Sequence, residues 1–114
     1  MTSYVHEYRD AYEAEPEDIT AYVSGPMTDM PEYNFPAFNE AAGRLREQGY
    51  EVSNPADRGV IDGWSWSDYL RVDLIDLVMC DAIFMLPGWQ QSKGARLERH
   101  VAEQLGMAIW GATA

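Results

Sequence analysis

At 114 residues, 46% of them hydrophobic, the chain holds one folded domain with room for one core. Its net charge of −11 excludes gripping a nucleic-acid backbone by bulk electrostatics, although backbone N–H groups at a helix start can still hold a small anion. The single cysteine, Cys80, precludes an intramolecular disulfide and suits a reducing cytosol, the distant His6 and His100 give no transition-metal motif, and the longest apolar runs are too short for a bilayer.

Residues 1–18, MTSYVHEYRDAYEAEPED, set six acids against one arginine, a local charge of −5. Tyr4, Tyr8 and Tyr12 recur every four residues and allow a short helix; otherwise this is a solvated tail or an arm that packs on a partner. It lacks the features of a signal peptide. The domain itself is expected over residues 19–114. Residues 19–24, ITAYVS, read as a strand that stops at Gly25-Pro26. Residues 38–48 place Phe38, Ala41, Ala42 and Leu45 on one helical face and stop at Gly49. Residues 50–53 read as a short strand ending at Asn54-Pro55, and residues 56–63 as a loop with Gly59 and Gly63. Ser65 or Ser67 caps a helix running to about residue 79. Residues 82–86, AIFML, are a buried strand closed by Pro87-Gly88. A loop through Lys93 leads into a helix that stops at Gly106, and residues 107–110 form a last strand.

The order β-α-β-α-β-α-β predicts a small doubly wound, Rossmann or flavodoxin-like parallel sheet of four to five strands with helices on both faces. Ligands then sit beyond the carboxyl ends of the strands. Three loops should converge there: Gly25-Pro26-Met27-Thr28, residues 54–66 and residues 87–93. Neither GxGxxG nor a P-loop is present.

Two carboxylates stand out. At about 100° per residue, Leu97, Val101, Ala102 and Leu105 of the last helix span roughly 140°, with Arg96, Arg99, His100 and Glu103 opposite. Glu98 falls inside the apolar arc, where a carboxylate is costly unless it is paired, hydrogen-bonded or left in a cleft. Either the helix frays, or Glu98 caps something nearby, or it faces a ligand. In the middle helix, WSDYLRVDLIDLVMC, the residues Trp66, Leu70, Leu74, Leu77 and Val78 make one apolar face with Asp73 at its edge. Asp73 is a solvated acid, an ion-pair partner of Arg71 or Arg96, or a second site carboxylate. Val72, Ile75 and Met79 form a second apolar patch, which in so small a chain predicts a homodimer interface. Cys80 reads as a buried structural thiol, and Asp81 as a backbone hydrogen-bonder opening the third strand. Paired carboxylates are equipment for cleaving a glycosidic bond.

These residues resemble the nucleoside 2-deoxyribosyltransferase superfamily, most closely its short, phage-type branch. The resemblance rests on Tyr22 to Met27 (Tyr-x-Ser-Gly-Pro-Met), Asn54-Pro55, Asp73-Leu74, Cys80-Asp81-Ala82, Leu86 to Trp89 (Leu-Pro-Gly-Trp) and Ser92 to Glu98 (Ser-x-Gly-Ala-x-x-Glu). It covers about residues 19–110. Its better-known members are nucleoside deoxyribosyltransferases and 2'-deoxynucleoside 5'-monophosphate N-glycosidases.

The resemblance implies that Glu98 is the nucleophile, that Asp73 lies near base and sugar and assists protonation of the departing base, and that Tyr22 orients Glu98. It implies an enzyme that cleaves or transfers the N-glycosidic bond of a 2'-deoxynucleoside or its 5'-monophosphate, without metal or cofactor. Substrate contacts are then expected from Gly25, Pro26, Met27, Asn54, Trp66, Gly88, Trp89, Ser92, Gly94 and Ala95. Ser92, at a position where the transferases tend to carry Asp and the monophosphate hydrolases Ser, tilts the reading towards a 5'-phosphate held by Ser92 and the N–H groups of Gly94 and Ala95. The monophosphate hydrolases have Ser and Arg in the first loop where this chain aligns Pro26 and Thr28, and the loop's Asp29 and Glu32 would repel a phosphate. Trp64, Trp66 and Trp89 either stack on a base or cover the helix starts. The rival reading is a non-catalytic module, or a phage accessory protein, that binds or sequesters a nucleotide-derived ligand. The expected setting is the cytoplasm, with no partner in nucleic acid or membrane.

Overall fold

The computed structural model describes residues 15–112. The tyrosine-bearing arm expected over residues 1–18 therefore lies outside the described residues, save for the one-turn 3-10 helix Pro16–Asp18. Four strands form one sheet: β1 (Thr20–Ser24), β2 (Glu51–Ser53), β3 (Ala82–Met85) and β4 (Ala108–Gly111). Three helices connect them: α1 (Phe35–Glu47), α2 (Trp66–Val78) and α3 (Lys93–Gln104). The spatial order is β2-β1-β3-β4, and every neighbouring pair is parallel.

Side chains alternate across β1, so one strand serves two layers. Ala21 and Val23 join Phe38, Ala41, Ala42 and Leu45 of α1 in one core. Tyr22 joins Leu77 of α2 and Ala95 and Ala102 of α3 in the other. Helices thus cover both faces, and the fold is a small doubly wound, Rossmann-like sheet. Among the described residues, no helix is long and apolar enough to cross a membrane.

Local chemistry sets the helix ends. α1 begins at Phe35, three residues before its apolar period starts, because Pro36 sits in the first turn where backbone N–H groups have no helical partner anyway. Ser65, rather than Ser67, caps α2. Its hydroxyl accepts from the Asp68 N–H at 3.2 Å, and the Asp68 carboxylate accepts from the Ser65 N–H at 2.8 Å.

Two helix faces differ from expectation. Val78 does not share the buried side of α2: it is 48% exposed, while Leu77 is fully buried, so α2 inserts a narrow strip. On α3, Leu97 and Leu105 are flanking and partly exposed, and the strip against the sheet is Ala95, Glu98 and Ala102. The two alanines let the helix lie close to the sheet. Glu98 is therefore at the centre of the buried face, not a stray residue within a leucine arc.

Candidate active site

β1 and β3 lie side by side where the chain's path across the sheet reverses, and doubly wound sheets hold ligands at such switch points. A cleft of about 500 Å³ lies there, in the size range of small-molecule sites. β1 contributes Tyr22 and the first loop leaves it at Gly25. An added Cβ on Gly25 would come within 2.7 Å of the Leu86 Cβ, so only glycine lets the chain pass. The turn after β2 contributes Arg58, α2 contributes Asp73, and the start of α3 contributes Ser92, Gly94, Ala95 and Glu98.

Glu98 is 6% exposed, yet it forms part of the cleft wall. Both of its oxygens accept hydrogen bonds from β1. The Tyr22 hydroxyl donates to Oε2 at 2.8 Å, and the Ser24 hydroxyl donates to Oε1 at 2.6 Å. Burial pushes the Glu98 pKa up to about 7. The two donors oppose that rise, and the nearby Asp73 charge adds to it. Burial, with Glu98 and Asp73 nearby, also raises the Tyr22 hydroxyl well above its ordinary value. Near neutrality Glu98 is thus close to its titration midpoint, and its ionised form is the one able to act as a nucleophile.

Asp73 pairs with neither Arg71 nor Arg96. Arg71 is two positions away on the same helix and cannot face it. Arg58 reaches over instead from the 3-10 turn Pro55–Arg58, contacting Asp73 Oδ1 at 2.5 Å and Asp76 Oδ2 at 2.6 Å. One guanidinium therefore forks across two carboxylates one helical turn apart. Burial still raises the Asp73 pKa, and Arg58 opposes the rise. Neither Arg58 nor Ser24 is among the site residues expected from the sequence. Ser24 had a signal, since it is two residues after Tyr22 on the same strand face. Arg58 had only its place in a loop expected at the site.

The structure brings Glu98, Tyr22 and Asp73 to the cleft, together with Gly25, Met27, Trp66, Ser92, Gly94 and Ala95. Pro26, Asn54, Gly88 and Trp89 are not on its wall. The Asn54 side chain accepts from the Ala56 N–H at 3.1 Å and donates to Asn39 at 3.0 Å, which fixes the turn bearing Arg58. Gly88 adopts a left-handed φ of 87° and packs beside Pro26. That turn sends Trp89 away from the cleft: its Nε1 donates to the Ala112 carbonyl at 3.0 Å, and the Arg99 guanidinium lies 4.7 Å from its ring. Trp64 and Trp66 do line the cleft, with Tyr33, Phe35 and Tyr69. In the first loop Asp29, Glu32, Tyr33 and Asn34 all hold positive φ, a costly backbone state for residues other than glycine.

The Ser92 hydroxyl accepts from the Ala95 N–H at 3.1 Å, so it caps α3 and occupies one N–H expected to bind a phosphate. Burial pushes the Cys80 thiol up to about 12, which makes it inert near neutrality. Asp81 accepts from the Thr20 N–H at 2.9 Å, tying β1 to β3. Among the described residues, no group of three His, Cys, Asp or Glu side chains is placed to hold a metal ion.

The fold and cleft define a small doubly wound α/β protein with a buried glutamate at its switch point. The chain belongs to the DUF4406 family, a domain of unknown function whose family model matches residues 19–110. None of the curated proteins matches it.

Proposed function

We propose that this protein is a member of the nucleoside 2-deoxyribosyltransferase-like superfamily and cleaves or transfers the N-glycosidic bond of a 2'-deoxynucleoside or its 5'-monophosphate. The observation that carries the reading is Glu98, a carboxylate buried among apolar groups, held by Tyr22 and still part of the cleft wall. In the reaction, a Glu98 oxygen bonds to C1' as the bond from C1' to the base nitrogen breaks. The bonding pair leaves with the base, which takes a proton from the Asp73 carboxyl and leaves Asp73 as a carboxylate. Water, or the N–H nitrogen of a second base, then bonds to C1' as the bond from C1' to Glu98 breaks, giving its proton to the Asp73 carboxylate and releasing Glu98 as a carboxylate. Trp64, Trp66 and Tyr69 offer faces for a planar base.

A non-catalytic nucleotide-binding module is the second reading. The Arg58 fork favours it, because Arg58 already occupies one oxygen of the group meant to serve the departing base. The choice between nucleoside and monophosphate turns on two features. The start of α3 favours an anion, whereas Asp29 and Asp62 on the cleft wall oppose one. We assign the protein to the cytoplasm, in keeping with its inert thiol, and take it to be a homodimer through the half-buried Val72 and exposed Ile75 of α2 and the exposed Met79 at its C-cap, with the exposed Val78 beside them.

Chromatography of each deoxynucleoside and its monophosphate after incubation, with and without a second base, tests the activity. Free base or exchanged nucleoside from the native protein, and none from Glu98→Ala, is the expected result. Intact substrate throughout, with a raised melting temperature, would establish the binding module instead.

A further inference from the structure

The strand face that carries Tyr22 also carries Thr20, at the partly buried start of β1, and Ser24, at its buried end. Ser24 is 1% exposed, belongs to neither apolar cluster and is absent from the cleft wall. A buried hydroxyl needs a partner, and that of Ser24 is Glu98 Oε1, at 2.6 Å. The backbone around Ser24 is fixed. Its carbonyl accepts from the Leu86 N–H at 2.8 Å, it lies in register with Met85, and Gly25 after it packs directly on Leu86. The hydroxyl therefore reaches Glu98 from a rigid strand end, not from a mobile loop.

Tyr22 alone would leave the carboxylate free to turn about its last bond, since it holds only Oε2. A second donor on Oε1, from the same strand, removes that freedom. We propose that Ser24 is a positioning residue, which with Tyr22 forms a two-point clamp that keeps Glu98 in one orientation and favours its ionised form over the acid. Ser24 meets no ligand in the cleft and acts only through Glu98. The charged or titratable groups around Glu98 are Tyr22 from β1, with which it is bonded, and Asp73 from α2, whose charge opposes ionisation; Arg58 acts on that pair from the turn after β2. Ser24 is the uncharged member of this set, so its replacement changes the clamp without changing the charge of the site.

The test is a titration of the Glu98 side-chain carboxyl by carbon-13 NMR in the full chain, comparing native protein with Ser24→Ala and Ser24→Thr. Loss of a hydrogen bond to a charged group should move the Glu98 midpoint up by roughly one pH unit in Ser24→Ala. Ser24→Thr keeps a hydroxyl and should bring the midpoint back. An unmoved midpoint in Ser24→Ala, or an equal rise in Ser24→Thr folded as the native protein, overturns the clamp. The inference leans on the glycosidic reading only for its consequence in turnover. There, the acid side of the pH profile should move up with the midpoint and kcat should fall, while KM holds. A moved midpoint with no base released from any variant would remove the glycosidic reading and leave the clamp standing. An active native enzyme with an unmoved midpoint would do the reverse.

Discussion

The Tyr22 hydroxyl donates to Glu98 Oε2 at 2.8 Å, joining the first strand to the last helix across 76 positions of sequence. Tyr22→Phe keeps the ring in the core and removes only the donor. The ionised glutamate then lacks one of its two partners, a loss of about 1–3 kcal/mol. Turnover should fall by roughly 10- to 100-fold at pH 7. The stability loss should shrink at pH 5, where Glu98 is protonated. Denaturant midpoints at the two pH values, beside the rate, check this; equal losses at both would contradict it.

Glu98 itself makes the fold weaker as pH rises. Its pKa goes from 4.5 to about 7 on burial. An acid with a raised folded-state pKa favours folding fully below its unfolded value, and that contribution disappears as pH rises through the folded value. The size is about 3 kcal/mol between pH 4.5 and pH 7. Glu98→Gln has the shape of the protonated acid and no charge to bury. The variant should match the native protein near pH 4.5 and exceed its stability at pH 8, while losing turnover. Urea melts at both pH values measure the difference; a difference independent of pH would sink the assignment.

Much of this was legible in the sequence, and the reasons are local. Among the described residues, periodicity and punctuation located the four strands and the three α-helices, because Gly25-Pro26, Asn54-Pro55 and Pro87-Gly88 mark the strand ends, but not the 3-10 turns such as Pro55–Arg58. Glu98 was found because a charge breaks a helical period. Arg58 was not, since nothing in a loop's composition says which carboxylate it will reach. Trp89 was misplaced for a related reason. Its position after the third strand suggested the cleft mouth, but the left-handed turn at Gly88 directs the ring under Arg99. Val78 was put on the wrong side because α2 is apolar on two faces, and periodicity alone cannot say which face the sheet takes.

Arg58→Met should leave Asp73 and Asp76 without their shared partner. The side chains of Arg58 and Asp73 are 18% and 14% exposed, so the pair is partly screened by water and its loss should cost about 2 kcal/mol at pH 7. The Asp73 pKa rises further once Arg58 no longer opposes burial, so the deficit should fade in acid. Adding Asp73→Asn should recover most of the loss. A double variant no more stable than Arg58→Met in chemical melts would show that the guanidinium acts elsewhere.

Met79 is 79% exposed beside Val78, at the end of a helix whose outer side also carries Ile75. If these side chains meet a second copy, Met79→Lys should turn a dimer into a monomer at micromolar concentration with little change in the melting of the monomer. Sedimentation equilibrium decides the matter, and a native protein that is monomeric at every concentration would rule out the interface.

A covalent glutamyl intermediate is what would distinguish the proposed enzyme from a nucleotide-binding module. The most direct measurement is peptide mass mapping after acid quench of the protein mixed with its best deoxynucleoside or monophosphate. The peptide bearing Glu98 should gain the mass of one deoxyribosyl group, or its 5'-phosphate, in the native protein, and should gain none in Glu98→Gln. Free base formed without that adduct, with Glu98→Gln still active, would place the chemistry on another residue and contradict the mechanism.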